Sequence, residues 1–398
     1  MKNLEKLRLD FPILHEKIKD HALIYFDNAA TAQMPAVVID AITTYYKTYK
    51  SNVDRGLYSF AEKTTFRYEQ ARGKLAQFIG AQSVELVFTS GTTDGINMVA
   101  RIWAAHNLKA GDEIIISQIE HHSNFLPWQQ LAEEKNLILT ILPIDATGLL
   151  DMMVYYAALS ERTKLVAIVH TSNILGATND IGSIVAAAHQ VGAKVLVDAA
   201  QSIAHQKIDV VDIDCDFLVF SGHKLYGPTG IGCLFIKKNI QPECYPYKFG
   251  GSMVYSAGYE ESYWKNAPYC FEAGTPPIAQ AIGLGAAVDY LIEKIDFNQI
   301  IEHEYALVAR AAAGLEELGF TIVSSIDSGH LVTFYDNEIH GHDIAMYLDS
   351  YGIAVRAGNH CVQPYHEKIG LESTVRVSFA FYNTMAEVEK FLEVMASL

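Results

Sequence analysis

Ser221-Gly-His-Lys-Leu-Tyr-Gly-Pro-Thr-Gly230 sets one lysine among small, polar and turn-forming residues. The apolar run Phe217-Leu-Val-Phe220 precedes it, and Ile231-Gly-Cys-Leu-Phe-Ile236 follows. An apolar strand that ends in Ser-x-His-Lys and turns through Gly-Pro-x-Gly holds a cation at a strand end. In an α/β protein, ligands bind at that end of the strands. Alone, the segment also suits a surface hairpin with a solvated lysine. The rest of the chain decides between the two.

Upstream of the lysine, apolar runs recur at 86–88, 114–116, 137–142, 165–169 and 195–197, besides 217–220. Helical spacing lies between most of them, at 95–105, 125–135, 152–160 and 184–191. Apolar strands alternating with helices imply an α/β fold, with a mostly parallel sheet covered on both faces. Before this region, residues 1–20 read as a short helix stopped at Asp10-Phe-Pro12. A short strand at 23–26 ends in Asp27-Asn-Ala-Ala-Thr31, whose small residues let another group approach the backbone. Two helical stretches follow, 35–49 and 61–79, the second stopped by Gly80.

Beyond Gly250-Gly251 the chain is rich in Tyr, Ser and Gly to about Tyr269, which predicts a long functional loop or hairpin. Helices are expected from 278 to 292 and on to 318, then strands at 320–324, 331–335, 353–355 and 375–379, with a helix at 344–351. The last helix opens at Thr384, with Glu387 completing a capping-box pattern. This order predicts three parts: an N-terminal segment, 1–20, packed on the small domain; a large ligand-binding domain, 21–290; and a small α+β C-terminal domain, 291–398.

Half of the residues are apolar and 19% are charged, a composition that builds a buried core. The net charge of −16 argues against nucleic acid and anionic membrane surfaces as partners. No apolar run is long enough to span a membrane, and the first residues lack the apolar core of a signal peptide. The five cysteines, Cys215, Cys233, Cys244, Cys270 and Cys361, include no C-x-x-C pair. Reduced thiols in a cytoplasmic protein are therefore expected, rather than a disulfide frame or a metal cage.

Several strand ends carry polar groups. Thr89-Ser-Gly-Thr-Thr-Asp-Gly95 opens a helix, so free backbone N–H groups and the Thr92 and Thr93 hydroxyls suit a phosphate. Glu120-His-His-Ser-Asn124 offers imidazoles that could stack on a ring; the spacing of a metal site is missing. Asp198 directly follows an apolar strand, so its carboxylate is partly desolvated and needs a cationic partner. A phosphate cradle, a stacking imidazole, a buried carboxylate and a strand-end lysine together suit pyridoxal phosphate. The lysine forms the Schiff base, and the carboxylate keeps the pyridine nitrogen protonated.

The same segments, with Ser172-Asn-Ile-Leu-Gly176 and Asp198-Ala-Ala-Gln201, resemble class V aminotransferase-fold enzymes. More narrowly, they resemble the SufS-like (group II) cysteine desulfurases, over nearly the whole chain. The most specific piece is Gly352-Ile-Ala-Val-Arg-Ala-Gly-Asn-His-Cys361-Val-Gln-Pro364, which is similar to that family's active-site cysteine loop. The resemblance implies the pyridoxal-phosphate-dependent transferase fold type I, with a mostly parallel seven-stranded sheet in the large domain. It implies that Lys224 carries the cofactor as a Schiff base, that His121 stacks on the ring and moves protons, that Asp198 pairs with the pyridinium and that Gln201 meets the phenolic oxygen. Thr92, Thr93, Ser221 and His223 would bind phosphate, and Thr275 would reach it from the second subunit of a homodimer. Asn173 and Arg376 would hold the substrate carboxylate, with Arg356 nearby.

Cys361 lies in a polar loop, where neighbouring His360 and Arg356 could favour the thiolate. The implied reaction converts L-cysteine to L-alanine and leaves the sulfur on Cys361 as a persulfide. A small acceptor protein would then take it for Fe–S assembly. His342 resembles a histidine of members that use a zinc-containing acceptor. The same scaffold also suits selenocysteine lyase or another lyase chemistry. The chain departs from the family pattern at Asp54, where histidine is expected, at Ser90, often arginine, and at Asn359, usually histidine.

Overall fold

The structure, a computed structural model, describes residues 4–325 and 327–398. Seven strands build the central sheet: β1 Leu86–Thr89, β2 Glu113–Ser117, β3 Ile138–Leu142, β4 Thr163–Val169, β5 Lys194–Asp198, β6 Phe217–Ser221 and β7 Gly232–Ile236. Their spatial order is β1-β7-β6-β5-β4-β2-β3. Only β7 opposes the rest, running antiparallel to both of its neighbours. The chain reverses after the lysine, so β7 returns directly beside β6, with Gly232 opposite Ser221.

Alternation explains the two cores. Leu86, Phe88, Val195, Val197, Leu218 and Phe220 point to one face, and Val87, Leu196, Phe217, Val219 and Leu234 to the other. A strand buried on both sides reads as an unbroken apolar run, which is why these strands were visible without a period of two. Helices Ala36–Thr48, Ser59–Phe78, Ile181–Gln190 and Ile278–Lys294 cover the first face. Helices Thr92–Val99 and Leu126–Lys135 cover the second.

A second antiparallel sheet follows: β8 Thr321–Ile322, β9 Leu331–Tyr335, β10 Arg356–Gly358 and β11 Thr374–Ser378, in the order β8-β9-β11-β10. It packs against helices Phe297–Glu317 and Met385–Met395. The segment Ile24–Tyr25 pairs in parallel with Ile353–Ala354, so the start of the chain is tied to this second layer. Arg8 pairs with Glu387 at 2.8 Å, whereas Phe11 packs on both Tyr226 and Tyr382. The N-terminal segment thus touches both layers rather than one.

Two local expectations shift, and the loop or hairpin expected before Tyr269 is found as a hairpin. The helix expected at 95–105 begins at Thr92 and passes through a π-helical turn at Ala100–Ala104. The strand expected at 320–324 shortens to Thr321–Ile322. The tyrosine-rich stretch folds back as the hairpin Val254–Ala257 and Ser262–Trp264, with Tyr255 and Tyr259 exposed.

One glycine fixes how closely the first site loop meets the lysine strand. A Cβ on Gly232 would lie 2.5 Å from the Phe220 carbonyl oxygen and 2.6 Å from the Gly91 Cα, both backbone atoms that cannot swing aside. Gly232→Ala should therefore lower stability by about 1–3 kcal/mol, as overpacking does. Gly251→Ala, where nothing lies within 4 Å, should be neutral. Urea-unfolding midpoints of the two variants measure the difference.

Candidate active site

β6 ends at Ser221, and a single tight turn, Gly222–Lys224, carries the lysine off the sheet. The turn is closed by Gly222 N–H to the Ile231 carbonyl at 2.9 Å and Gly227 N–H to the Gly222 carbonyl at 2.9 Å. The N-terminal loop clamps it from outside, since Ala32 N–H donates to the His223 carbonyl at 2.9 Å. Lys224 lies on the floor of a cleft, open to the cleft and enclosed by protein elsewhere. Burial pulls its pKa down to about 8, and the charge of Asp198 opposes that fall. Asp198 ends β5 and is 3% exposed. Its carboxylate accepts from Ala200 N–H at 2.9 Å; burial raises its pKa, and that N–H and Lys224 counter the rise.

The opposite end of the cleft is rich in donors. Thr92 meets the Ser221 hydroxyl through its backbone N–H and its own hydroxyl, both at 2.8 Å, and Thr93 meets the Ser123 hydroxyl at 2.7 Å. Both threonines open the helix Thr92–Val99, where backbone N–H groups lack helical partners. His121 accepts from Ser123 N–H through Nδ1 at 3.1 Å, so its proton sits on Nε2. Burial, reinforced by the Lys224 charge, pushes its pKa down to about 3, so the ring is neutral at pH 7.

The third wall comes from the small sheet. Arg376, on β11, is 2% exposed and donates to the Asn173 carbonyl at 2.8 Å. Asp27 pairs with Arg356 at 2.9 Å and with Arg376 at 3.4 Å. Burial draws the Arg376 pKa down to about 10, still cationic at neutral pH, with Asp27 opposing the fall. Its Nε and the Asn173 Oδ1 are buried and have no hydrogen-bond partner among the described residues. Arg376 therefore has a donor to spare for an anion, whereas one of the two N–H groups of the Asn173 amide goes to the His360 carbonyl at 2.7 Å. Gln201 similarly donates to the Ala29 carbonyl at 2.8 Å.

All residues expected to hold the cofactor or the substrate or to react with them, Thr275 excepted, line one cavity of about 260 Å³. Thr275 is exposed and borders a separate depression beside Gly230 and Ser90. Its segment is anchored three residues earlier, where Glu272 takes a bidentate pair from buried Arg72 at 2.7 and 2.9 Å. Cys361 is the one exposed cysteine; the other four are buried. One expectation fails: His360 cannot supply charge to the thiol. It is 7% exposed, its Nε2 meets the Thr374 hydroxyl at 3.0 Å, and burial pushes its pKa down to about 2.

Of the departures from the family pattern, Asp54 pairs with Lys265 at 3.3 Å, and Ser90 N–H donates to Asp94 at 2.9 Å. Neither lines the cavity. Asn359 does shape the site, accepting from Cys361 N–H at 3.3 Å. Asp27 and Ser123 were missed as site residues. The signal for Asp27 was present, a carboxylate closing an apolar run as at Asp198. Its two arginine partners lie more than three hundred residues away.

A lysine and an aspartate at adjoining strand ends, facing a helix N-terminus rich in hydroxyls, define a fold type I pyridoxal-phosphate enzyme. The chain belongs to the aminotransferase class-V family, whose profile matches residues 24–391. Within it, the chain is 46% identical over 389 residues to a probable cysteine desulfurase of Halalkalibacterium halodurans, covering 97% of this chain and 96% of the relative. It is 41% identical to a cysteine desulfurase of Haloferax volcanii, covering 98% and 96%. Among solved structures, the apo cysteine desulfurase of Thermococcus onnurineus superposes with a TM-score of 0.94 at 39% identity, covering 99% and 97% of the two chains. The cysteine desulfurase CsdA of Escherichia coli, in an S-sulfonic acid form, gives 0.92 at 37% identity, covering 100% and 98%.

The buried histidines link the site to acid stability. His170, beside the cavity, is 8% exposed and burial pushes its pKa down to about 4. An unfolded imidazole takes up its proton near 6.5. Between these values the unfolded chain binds more protons, so stability falls as pH drops from about 6.5 to 4 and levels off below. In His170→Gln this slope, read from urea midpoints, should be shallower by up to about 1.4 kcal/mol per pH unit.

Proposed function

We propose that the chain is a pyridoxal-phosphate-dependent cysteine desulfurase that converts L-cysteine to L-alanine and keeps the sulfur on Cys361. The observation that carries this reading is that Lys224 and the only exposed cysteine line one cavity from opposite layers of the fold. The residues present fit the cofactor. Hydroxyls and a helix N-terminus suit its phosphate, buried Asp198 its ring nitrogen, neutral His121 its face, and Lys224 the aldehyde carbon. When bound, pyridoxal phosphate supplies an electron sink that acidifies the substrate's α-proton.

The protein's own groups do the rest. Arg376 holds the substrate carboxylate through its free Nε–H. Lys224, with a pKa near 8, takes and returns protons close to neutral pH. The Cys361 thiolate attacks the substrate sulfur. An S–S bond forms as the C–S bond breaks, and the electron pair left on carbon is quenched by a proton, giving alanine. Sequestered in its cleft, the lysine chemistry is shielded from water, while Cys361 on the rim stays open to a carrier that must collect the persulfide.

That carrier would be a small acceptor protein, and exposed His342 at the start of helix Gly341–Asp349 is the candidate contact. The exposed Thr275 and the exposed tyrosines of the hairpin Val254–Trp264 support a homodimer in which Thr275 serves the partner's phosphate site. The division at residues 21–290 and 291–398 is supported by the two separate sheets. Among the described residues no helix is long and apolar enough to cross a membrane; the five free cysteines, four of them buried, suit a reducing, cytoplasmic setting.

The test is to incubate the cofactor-loaded protein with L-cysteine and a thiol reductant and to assay alanine and sulfide. Cys361→Ser should cut both to below about one hundredth while keeping the yellow absorbance. Lys224→Ala should lose the normal absorbance as well as turnover. Sulfide release by Cys361→Ser at the unmutated rate would overturn the reading. For the carrier, His342→Ala should lower acceptor-stimulated turnover and leave basal turnover unchanged; unchanged stimulation removes His342 from the docking surface.

A further inference from the structure

Cys361 sits in a strained turn. His360 and Cys361 are consecutive non-glycine residues in the left-handed region, at φ 49° and 60°. Such backbone persists only where surrounding contacts hold it. Three of those contacts reach across from the large sheet. The Asn173 amide donates to the His360 carbonyl at 2.7 Å, His122 N–H donates to the Cys361 carbonyl at 2.8 Å, and Gln363 N–H donates to the His122 Nε2 at 3.2 Å. His122 thus grips the loop twice, once through its backbone and once through its ring, on the C-terminal side of the thiol.

His122 is itself fixed. The Glu120 carboxylate accepts from the Ser117 hydroxyl at 2.6 Å, from Val169 N–H at 3.1 Å and from the Asn124 amide at 2.7 Å. Asn124 accepts in turn from the Trp128 indole at 3.0 Å. The turn His122–Asn124 is therefore bolted to the ends of β2 and β4 and to the helix behind them. The ring of His122 faces a neighbouring surface depression with Leu126 and Gln130, outside the cavity that holds Lys224. It does not touch the reacting atoms; it acts through the loop.

We infer that His122 is a positioning residue: its ring nitrogen and backbone N–H latch the Cys361 loop to the cofactor-side sheet and keep the thiol aimed into the cleft. This rests on Cys361 being the sulfur acceptor. The ring bond requires an unprotonated Nε2, and burial lowers the His122 pKa, which favours that form.

The experiment compares His122→Phe, which fills the space but cannot accept, with His122→Gln, whose Oε1 can reach the Gln363 N–H. Amide hydrogen exchange over residues 359–365 is measured in the cofactor-free and loaded protein, and steady-state kinetics in the loaded one. His122→Phe should speed exchange of this segment and lower kcat, each about tenfold, as loss of one restraining hydrogen bond does. KM for L-cysteine and the cofactor absorbance should not move. His122→Gln should recover both to within about threefold. Unmutated exchange and kcat in His122→Phe, or no recovery in His122→Gln, overturn the assignment. Should Cys361→Ser keep full turnover, the acceptor reading fails instead, and the exchange comparison still decides whether His122 holds the loop.

Discussion

A lysine has to reach the floor of a buried cleft without an equal number of neutralising partners, and the site is arranged around that constraint. Stripped of water, the Lys224 ammonium is disfavoured, and Asp198 restores only part of what solvation gave. The balance leaves an amine that exchanges its proton near neutrality. The same desolvation keeps His121 and His223 uncharged, so the imidazoles beside the lysine add no competing cation. Lys224, Arg356 and Arg376 face Asp27 and Asp198, leaving the cleft a surplus of positive charge in a chain of net charge −16. The carboxylate of an amino acid finds its place at that exception.

Backbone geometry makes this placement possible. The lysine turn lies between two strands that are neighbours in both sequence and space, β6 and β7. Gly232 lets the loop at Gly91 close onto β6, so that the Thr92 donors reach Ser221. A parallel crossover after the lysine would have carried the chain away to the far side of the sheet. The single antiparallel strand keeps both ends of the loop under the site.

Much of this was legible because the groups lie at ends of strands whose apolar runs announce themselves. Lys224, Asp198, Thr92 and His121 each follow such a run, and strand ends on one edge of a parallel sheet converge whatever the detailed packing. The small sheet was harder. Its strands are short, one of them two residues, and its site groups work through partners distant in sequence. Nothing near Asp27 in the chain hints at Arg356 and Arg376. His360 was misread for a related reason: adjacency to Cys361 suggested an electrostatic role, but two left-handed residues in succession turn its ring inward to Thr374. Sequence proximity reports side-chain proximity only where the backbone is regular.

The pairing of Ile24–Tyr25 with Ile353–Ala354 also sets a timetable for the growing chain. A ribosome adds about 5–20 residues per second. The large sheet and its lysine turn have all their strands by Ile236, but the strand at residue 24 waits tens of seconds for its partner. Asp27 meets its arginines only then, and the cysteine loop arrives in the same few residues. A nascent chain therefore owns its amine well before it owns its thiol. The order of translation keeps the two reactive groups apart until the protein is nearly whole.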